Sequence, residues 1–149
     1  MKIINRKFHR EYQELEKIEA GIVLSGAEVK SVRTGSLKLE DAFVKMIGNE
    51  AYLINADIPI YKFTRPAGYD PKRSRKLLLH KKELLRFKIK LQSGGNLTIA
   101  PISCYNKGPL IKVEIALVKG RKDVEKRKLE KKRDVQREQE REAKEYTKV

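Results

Sequence analysis

From Gly120 to Val149 the chain carries 12 Lys and Arg and 8 Asp and Glu in 30 residues, with Val124, Leu129 and Val135 as its only bulky aliphatic side chains before the terminal Val149. Ordering a residue costs roughly 1 to 2 kcal/mol of backbone entropy, and a segment with so little to bury cannot offset that cost alone. Its apolar residues form no i, i+4 stripe, while Asp134 with Glu138 and Glu138 with Glu142 set like charges at helical spacing. The sequence therefore predicts a tail, residues 120–149, that is disordered when free and gains structure on a partner. A fold must be built from residues 1–119, one domain of ordinary size.

That body keeps 23 Lys and Arg against 12 Asp and Glu, within a net charge of +15 for the whole chain. Cationic surface on both parts points to a polyanion, because each neutralised phosphate releases condensed counterions. A lone Cys104 excludes an internal disulfide, and no Cys or His pair has zinc-site spacing. Met1–Arg10 lacks the apolar stretch of a signal peptide and no run reaches the length of a membrane span, so a cytoplasmic protein with no membrane partner is expected.

Strand patterns dominate the body. Ile111, Val113, Ile115 and Leu117 alternate with Lys112, Glu114 and Ala116, which sends Lys112 outward from the core. Ala42–Ile47 and Glu50–Ile58 flank Gly48-Asn49, a two-residue hairpin turn. Phe87, Ile89 and Leu91 alternate before Ser93-Gly94-Gly95-Asn96, with a returning strand at Leu97–Ile102, and Asn106–Pro109 turns the chain into the Ile111 strand. Ala20–Leu24 and, more weakly, Tyr12–Leu15 also read as strands.

Two helices interrupt this pattern. Ser25-Gly26-Ala27-Glu28 has capping-box spacing and Gly35 supplies a stop, which predicts about eight helical residues. A second helix is predicted over Lys81–Phe87, with Leu77, Leu84 and Leu85 placed so that it can bury one face. Short, mainly antiparallel strands with short α-helices predict a small OB-like β-barrel closed by helices. Lys62–Ser74 mixes four cations with Phe63 and Tyr69 and carries Pro66, Gly68 and Pro71, which predicts a mobile basic loop able to stack bases and pair phosphates.

Catalysis is not expected. The chain has no phosphate-cradling glycine loop, and His9 and His80 have no nucleophile beside them. Glu40 and Asp41 raise the alternative of a metal-dependent nuclease, yet adjacent strand residues point to opposite faces and cannot share a metal. No catalytic residue, metal ligand or cofactor is assigned. Glu19 is the more informative acid, since on a cationic surface it would repel phosphates but accept hydrogen bonds from base N–H groups or a ribose hydroxyl.

Asn5-Arg6-Lys7, Glu19-Ala20-Gly21-Ile22, Gly26-Ala27-Glu28-Val29-Lys30-Ser31-Val32-Arg33, Asp70-Pro71-Lys72-Arg73 with Arg75-Lys76-Leu77-Leu78-Leu79-His80, and Lys119-Gly120-Arg121-Lys122 follow one another in order over nearly the whole chain. Together they resemble the tmRNA-binding small protein B family. The resemblance implies an OB-type barrel that binds the tRNA-like domain of tmRNA and delivers it to stalled ribosomes in trans-translation, a ribosome-rescue pathway. Ribosomal RNA is then a second partner. Binding of ribosomal RNA by a ribosomal or assembly protein is the alternative function.

Carried over by position, the family's RNA-binding residues fall on Asn5, Glu19, Leu78 and Lys112. Lys112 would meet backbone phosphate, Glu19 and Asn5 would hydrogen-bond RNA loops, and Leu78 would pack beneath a base or beside Glu19. Glu125-Lys126-Arg127 stands where the family has an acid-Lys-Arg triplet, which implies ribosome binding in the decoding region by a tail that becomes helical there. Val124 and Val135 replace the aromatic or histidine and the tryptophan found in many relatives.

Overall fold

The computed structural model describes residues 1–146. Along the chain lie β1 (Lys2–Ile4), α1 (Phe8–Glu11), β2 (Tyr12–Ile22), α2 (Gly26–Arg33), β3 (Phe43–Ile47), β4 (Glu50–Ile54), β5 (Arg75–Leu78), α3 (Lys81–Gln92), β6 (Leu97–Lys107), β7 (Leu110–Gly120) and α4 (Asp123–Tyr146). Every strand pairing is antiparallel. In the order β1-β6-β3-β4-β5-β2-β7, the last strand returns to pair β6, so six strands form a closed ring and β1 hangs on β6 outside it. A ring leaves few strand edges for unwanted pairing.

The alternation along β7 places Val113, Ile115 and Leu117 in the core with Ala20, Leu53, Ile99 and Phe87. Ala116 and Val118 are buried as well, because α1 lays Phe8 over that end of the outer face. Register Ile47↔Glu50 leaves Gly48-Asn49 as the predicted hairpin turn, with Gly48 at φ 61°. The two weak N-terminal strand signals belong to one strand, β2, bulged between Glu14 and Glu16.

The predicted α2 forms with both halves of its capping box: Glu28 N–H donates to Ser25 Oγ at 3.3 Å and Ser25 N–H donates to Glu28 Oε1 at 2.8 Å. Glu28 does more than cap. It is buried and accepts from Arg73 Nη2 at 2.6 Å and from the Nε of Arg75, itself fully buried. Arg75 completes its bonding by donating to the carbonyls of Ala56 at 2.9 Å and Pro71 at 3.0 Å. Burial pushes the Glu28 carboxyl up, but bonds from Arg73, the Ser25 N–H and Arg75 outweigh it and hold it at about 2. This pair fixes the start of β5.

Two strand expectations change. The Phe87, Ile89, Leu91 alternation is not a strand, since α3 runs on to Gln92. Phe87 is fully buried with Leu84 and Leu91 beside it, at helical spacing, whereas Ile89 is 57% exposed. Glu83, accepting from His80 N–H at 3.1 Å, starts the helix, and Gly94, Gly95 and Asn96, all at positive φ, turn the chain from it into β6. β5 occupies Arg75–Leu78, where no strand is predicted, with Leu77 buried between β4 and β2.

The predicted mobile loop is tethered in its second half by Tyr69 O–H donating to Ile58 O at 2.7 Å and by Arg73 on Glu28. Its Phe63 stays 78% exposed.

The tail, expected to be disordered when free, is helical in this structure as α4, and its last residues, 147–149, lie outside the described residues. Burial does not hold it. Residues 121–146 contain no Gly or Pro and are rich in Lys, Arg, Glu and Gln, all strong helix formers. Its early turns are also fastened to α1: Lys126 Nζ donates to Glu11 Oε2 at 2.8 Å, and Arg10 Nε pairs with Glu130 at 2.6 Å. Just before the helix, Arg121 Nε donates to the carbonyls of His9 at 3.0 Å and Tyr12 at 3.2 Å.

Candidate nucleic-acid interface

On the outer face of β2, Glu19 and Gly21 stand two residues apart and so share a side of the pleat. Across the sheet, Gly21 registers with Lys112 on β7 and with Leu78 on β5. Lacking a side chain, Gly21 leaves a floor of bare backbone. A β-carbon there would stand 3.2 Å from Leu78 Cβ, closer than ordinary contact. Leu78 covers one side of this floor and remains 53% exposed. The result is a cavity of about 370 Å³ whose lining includes Glu19, Gly21, Leu78, His80, Glu83 and Lys112. A neighbouring cavity of about 300 Å³ shares Gly21, Leu78 and Lys112 and extends to Arg33.

Glu19 is held in place rather than waving in solvent. Tyr105 O–H donates to Oε2, and Lys107 Nζ donates to Oε1 at 3.0 Å. These two bonds, with the charges of Lys107 and Lys112, hold its carboxyl below the usual carboxylate range. Burial, then the bond to Glu19, pushes the Tyr105 hydroxyl up to about 12. Near neutral pH the site therefore presents a fixed carboxylate acceptor, a phenol and an ammonium. Lys112 is half-buried and forms no ion pair among the described residues. A fixed acceptor and a cation outside any ion pair, beside an exposed leucine, can read a hydroxyl or base edge, a phosphate and a base face in one small area.

Three of the four body residues assigned by position thus converge, and Asn5 does not join them. It is buried at 2% exposure, with Nδ2 donating to Pro101 O at 2.9 Å and Oδ1 accepting from Lys7 N–H at 3.2 Å. Asn5 fastens the N-terminal segment to the irregular stretch of β6 between Pro101 and Ser103. Both ends of its side-chain amide are thus occupied within the protein. In the triplet, Glu125 and Arg127 are exposed, while Lys126 is engaged by Glu11. Tyr105 and Lys107 escape a sequence reading because they sit beside Glu19 only through the β6–β7–β2 registers, at separations of 86 and 88 residues.

The family model described as SmpB protein matches residues 2–145. The chain belongs to the SmpB family. A relative named SsrA-binding protein in Sulfurihydrogenibium sp. (strain YO3AOP1) is 50% identical over 134 residues, covering 90% of this chain and 88% of the relative. Another of that name, in Coprothermobacter proteolyticus, is 48% identical over 148 residues, covering 97% of this chain and 98% of the relative. This SmpB-family fold also aligns, with TM-score 0.67 and 40% identity, to a chain from a solved structure described as "tmRNA-SmpB: a journey to the center of the bacterial ribosome", covering 82% of this chain and 85% of that one. No helix among the described residues is long and apolar enough to cross a membrane.

Proposed function

We propose that this SmpB-family chain binds tmRNA through its tRNA-like domain and brings it to stalled ribosomes in trans-translation, acting by binding and not by catalysis. The observation that carries this reading is the meeting of Glu19, Leu78 and Lys112 around the bare backbone of Gly21, from three strands that the sequence keeps far apart. Lys112 takes a backbone phosphate, the Glu19 carboxylate accepts from a base or ribose donor, and Leu78 packs under a base exposed in a folded loop. Asn5 acts indirectly, by holding the β1–α1 junction.

The body, residues 1–119, and the tail from Gly120 divide the work. Among Glu125, Lys126 and Arg127, the two cations meet ribosomal RNA in the decoding region, and Lys126 exchanges Glu11 for phosphate when it does so. The test is a binding titration with a transcript of the tRNA-like domain. Removing a charge-assisted hydrogen bond costs about 1.5 to 3 kcal/mol, a loss of roughly 10- to 100-fold in affinity. Glu19→Ala and Lys112→Ala should each weaken binding on that scale. Unchanged affinity in both would remove the basis of the proposal.

A further inference from the structure

Arg33 is common to two concave surfaces. On one side it lines the cavity that contains Gly21, Leu78 and Lys112. On the other it lines a larger one, of about 910 Å³, between the edge strand β1 and the loop that follows α2. The larger cavity is walled by Lys2, Arg6, Arg33 and Lys38, with Glu40 as its one acid. All four cations are exposed, and none forms an ion pair among the described residues, although nine pairs occupy cations elsewhere. Arg33 is steadied by donating from Nη2 to Pro109 O at 3.3 Å, which sets it on the ridge between the two hollows.

No aromatic side chain lines the larger hollow, so nothing there can stack a base. Cations without stacking partners suit phosphate oxygens, which position a nucleic acid without reading its sequence. We infer that the Lys2–Arg6–Lys38 groove is a second RNA-backbone surface, continuous across Arg33 with the Gly21 face and occupied by the same RNA molecule. The inference rests on the RNA-binding reading of that face. Under it the Gly21 face discriminates and the groove adds sequence-independent affinity.

The test is the full-length triple variant Lys2→Gln/Arg6→Gln/Lys38→Gln, alongside Lys112→Ala, titrated with the tRNA-like transcript between 50 and 300 mM salt. These are exposed side chains, and thermal unfolding verifies that the fold is kept. Each lost phosphate contact lowers the slope of log K against log salt by about 0.7 to 0.9, so three contacts lower it by about 2 to 3. That fall in slope, with affinity reduced roughly 100-fold near 100 mM salt, is the expected result. An unchanged slope in the triple variant, with Lys112→Ala weakened, overturns the groove and leaves the Gly21 face standing. If both variants bind as the native chain does, the underlying RNA reading fails as well. A triple variant that binds the transcript normally but loses affinity for small ribosomal subunits also overturns the inference, because the groove then serves ribosomal RNA.

Discussion

Replacing Glu28 by glutamine keeps the size of the side chain and removes the carboxylate charge paired with buried Arg75. The Glu28 carboxyl lies at about 2 against an ordinary 4.5, which at 1.36 kcal/mol per pH unit corresponds to about 3 kcal/mol of stability. A similar figure, about 3 to 5 kcal/mol, follows for breaking a buried ion pair and leaving one charge uncompensated. The sign follows from a depressed acid: the contribution is complete above pH 4.5 and is lost as pH falls from there toward 2. At about 3 °C per kcal/mol for a chain of this length, Glu28→Gln should lower the midpoint of thermal unfolding by about 10 °C near pH 7. Circular dichroism at pH 7 and pH 3 is the assay, and the gap between native and variant should narrow at the lower pH. A midpoint within about 3 °C of native at pH 7, or a gap independent of pH, would refute the reasoning. Because Arg75 opens β5 and Leu78 ends it, this pair also holds one wall of the proposed RNA face.

Gly21→Val puts a side chain where a β-carbon already meets Leu78 at 3.2 Å; it should cost about 1 to 3 kcal/mol of stability and weaken binding of the tRNA-like transcript about tenfold, a cost of ~1.4 kcal/mol, and native affinity with a native unfolding midpoint would contradict this. The bond from Lys126, ahead of the opposing effect of burial, holds the Glu11 carboxyl below its ordinary value. The α1–α4 clasp should therefore persist above that range, loosen as pH falls through the depressed value, and be weakened at every pH by Glu11→Gln. Amide exchange at Val124–Glu130 reads this, and identical protection in the variant would exclude the clasp. Truncation after Lys122 spares β7 and the Arg121 tether; transcript affinity should stay within about twofold, a change of ~0.4 kcal/mol, while peptide tagging on stalled ribosomes is abolished, and persistent tagging would end the decoding role of the tail.

Local signals made much of the fold legible. The Ser25 to Glu28 spacing, the Gly48-Asn49 turn and the Ile111 to Leu117 alternation each depend on neighbours in sequence, and each forms as read. Phe87, Ile89 and Leu91 misled because three apolar residues in alternation fit a strand by pattern, whereas capping by Glu83 and burial of Phe87 with Leu84 and Leu91 beside it decide for a helix. The contacts of the tail were hidden for a different reason: its two ion pairs to α1 join residues more than 100 apart in sequence, which no local pattern of charge reveals. In the site, Lys112 was placed outward by the pleat alone. Glu19 stands out as an acid in a basic body, Leu78 and Asn5 rest on resemblance, and only the registers show that Glu19 and Leu78 meet while Asn5 is enclosed. The buried Arg75–Glu28 pair had no signature, since an arginine in a basic sequence looks like surface.

The claim that matters most is that folded RNA sits on the β5–β2–β7 face around Gly21. A photo-crosslinking amino acid at position 78, compared with one at exposed position 45 on β3, which lies opposite β2 in the strand ring, tests it directly. With the tRNA-like transcript bound, position 78 should crosslink strongly to a few nucleotides and position 45 should give background. Equal crosslinking from both positions, or a preference for position 45, would contradict it.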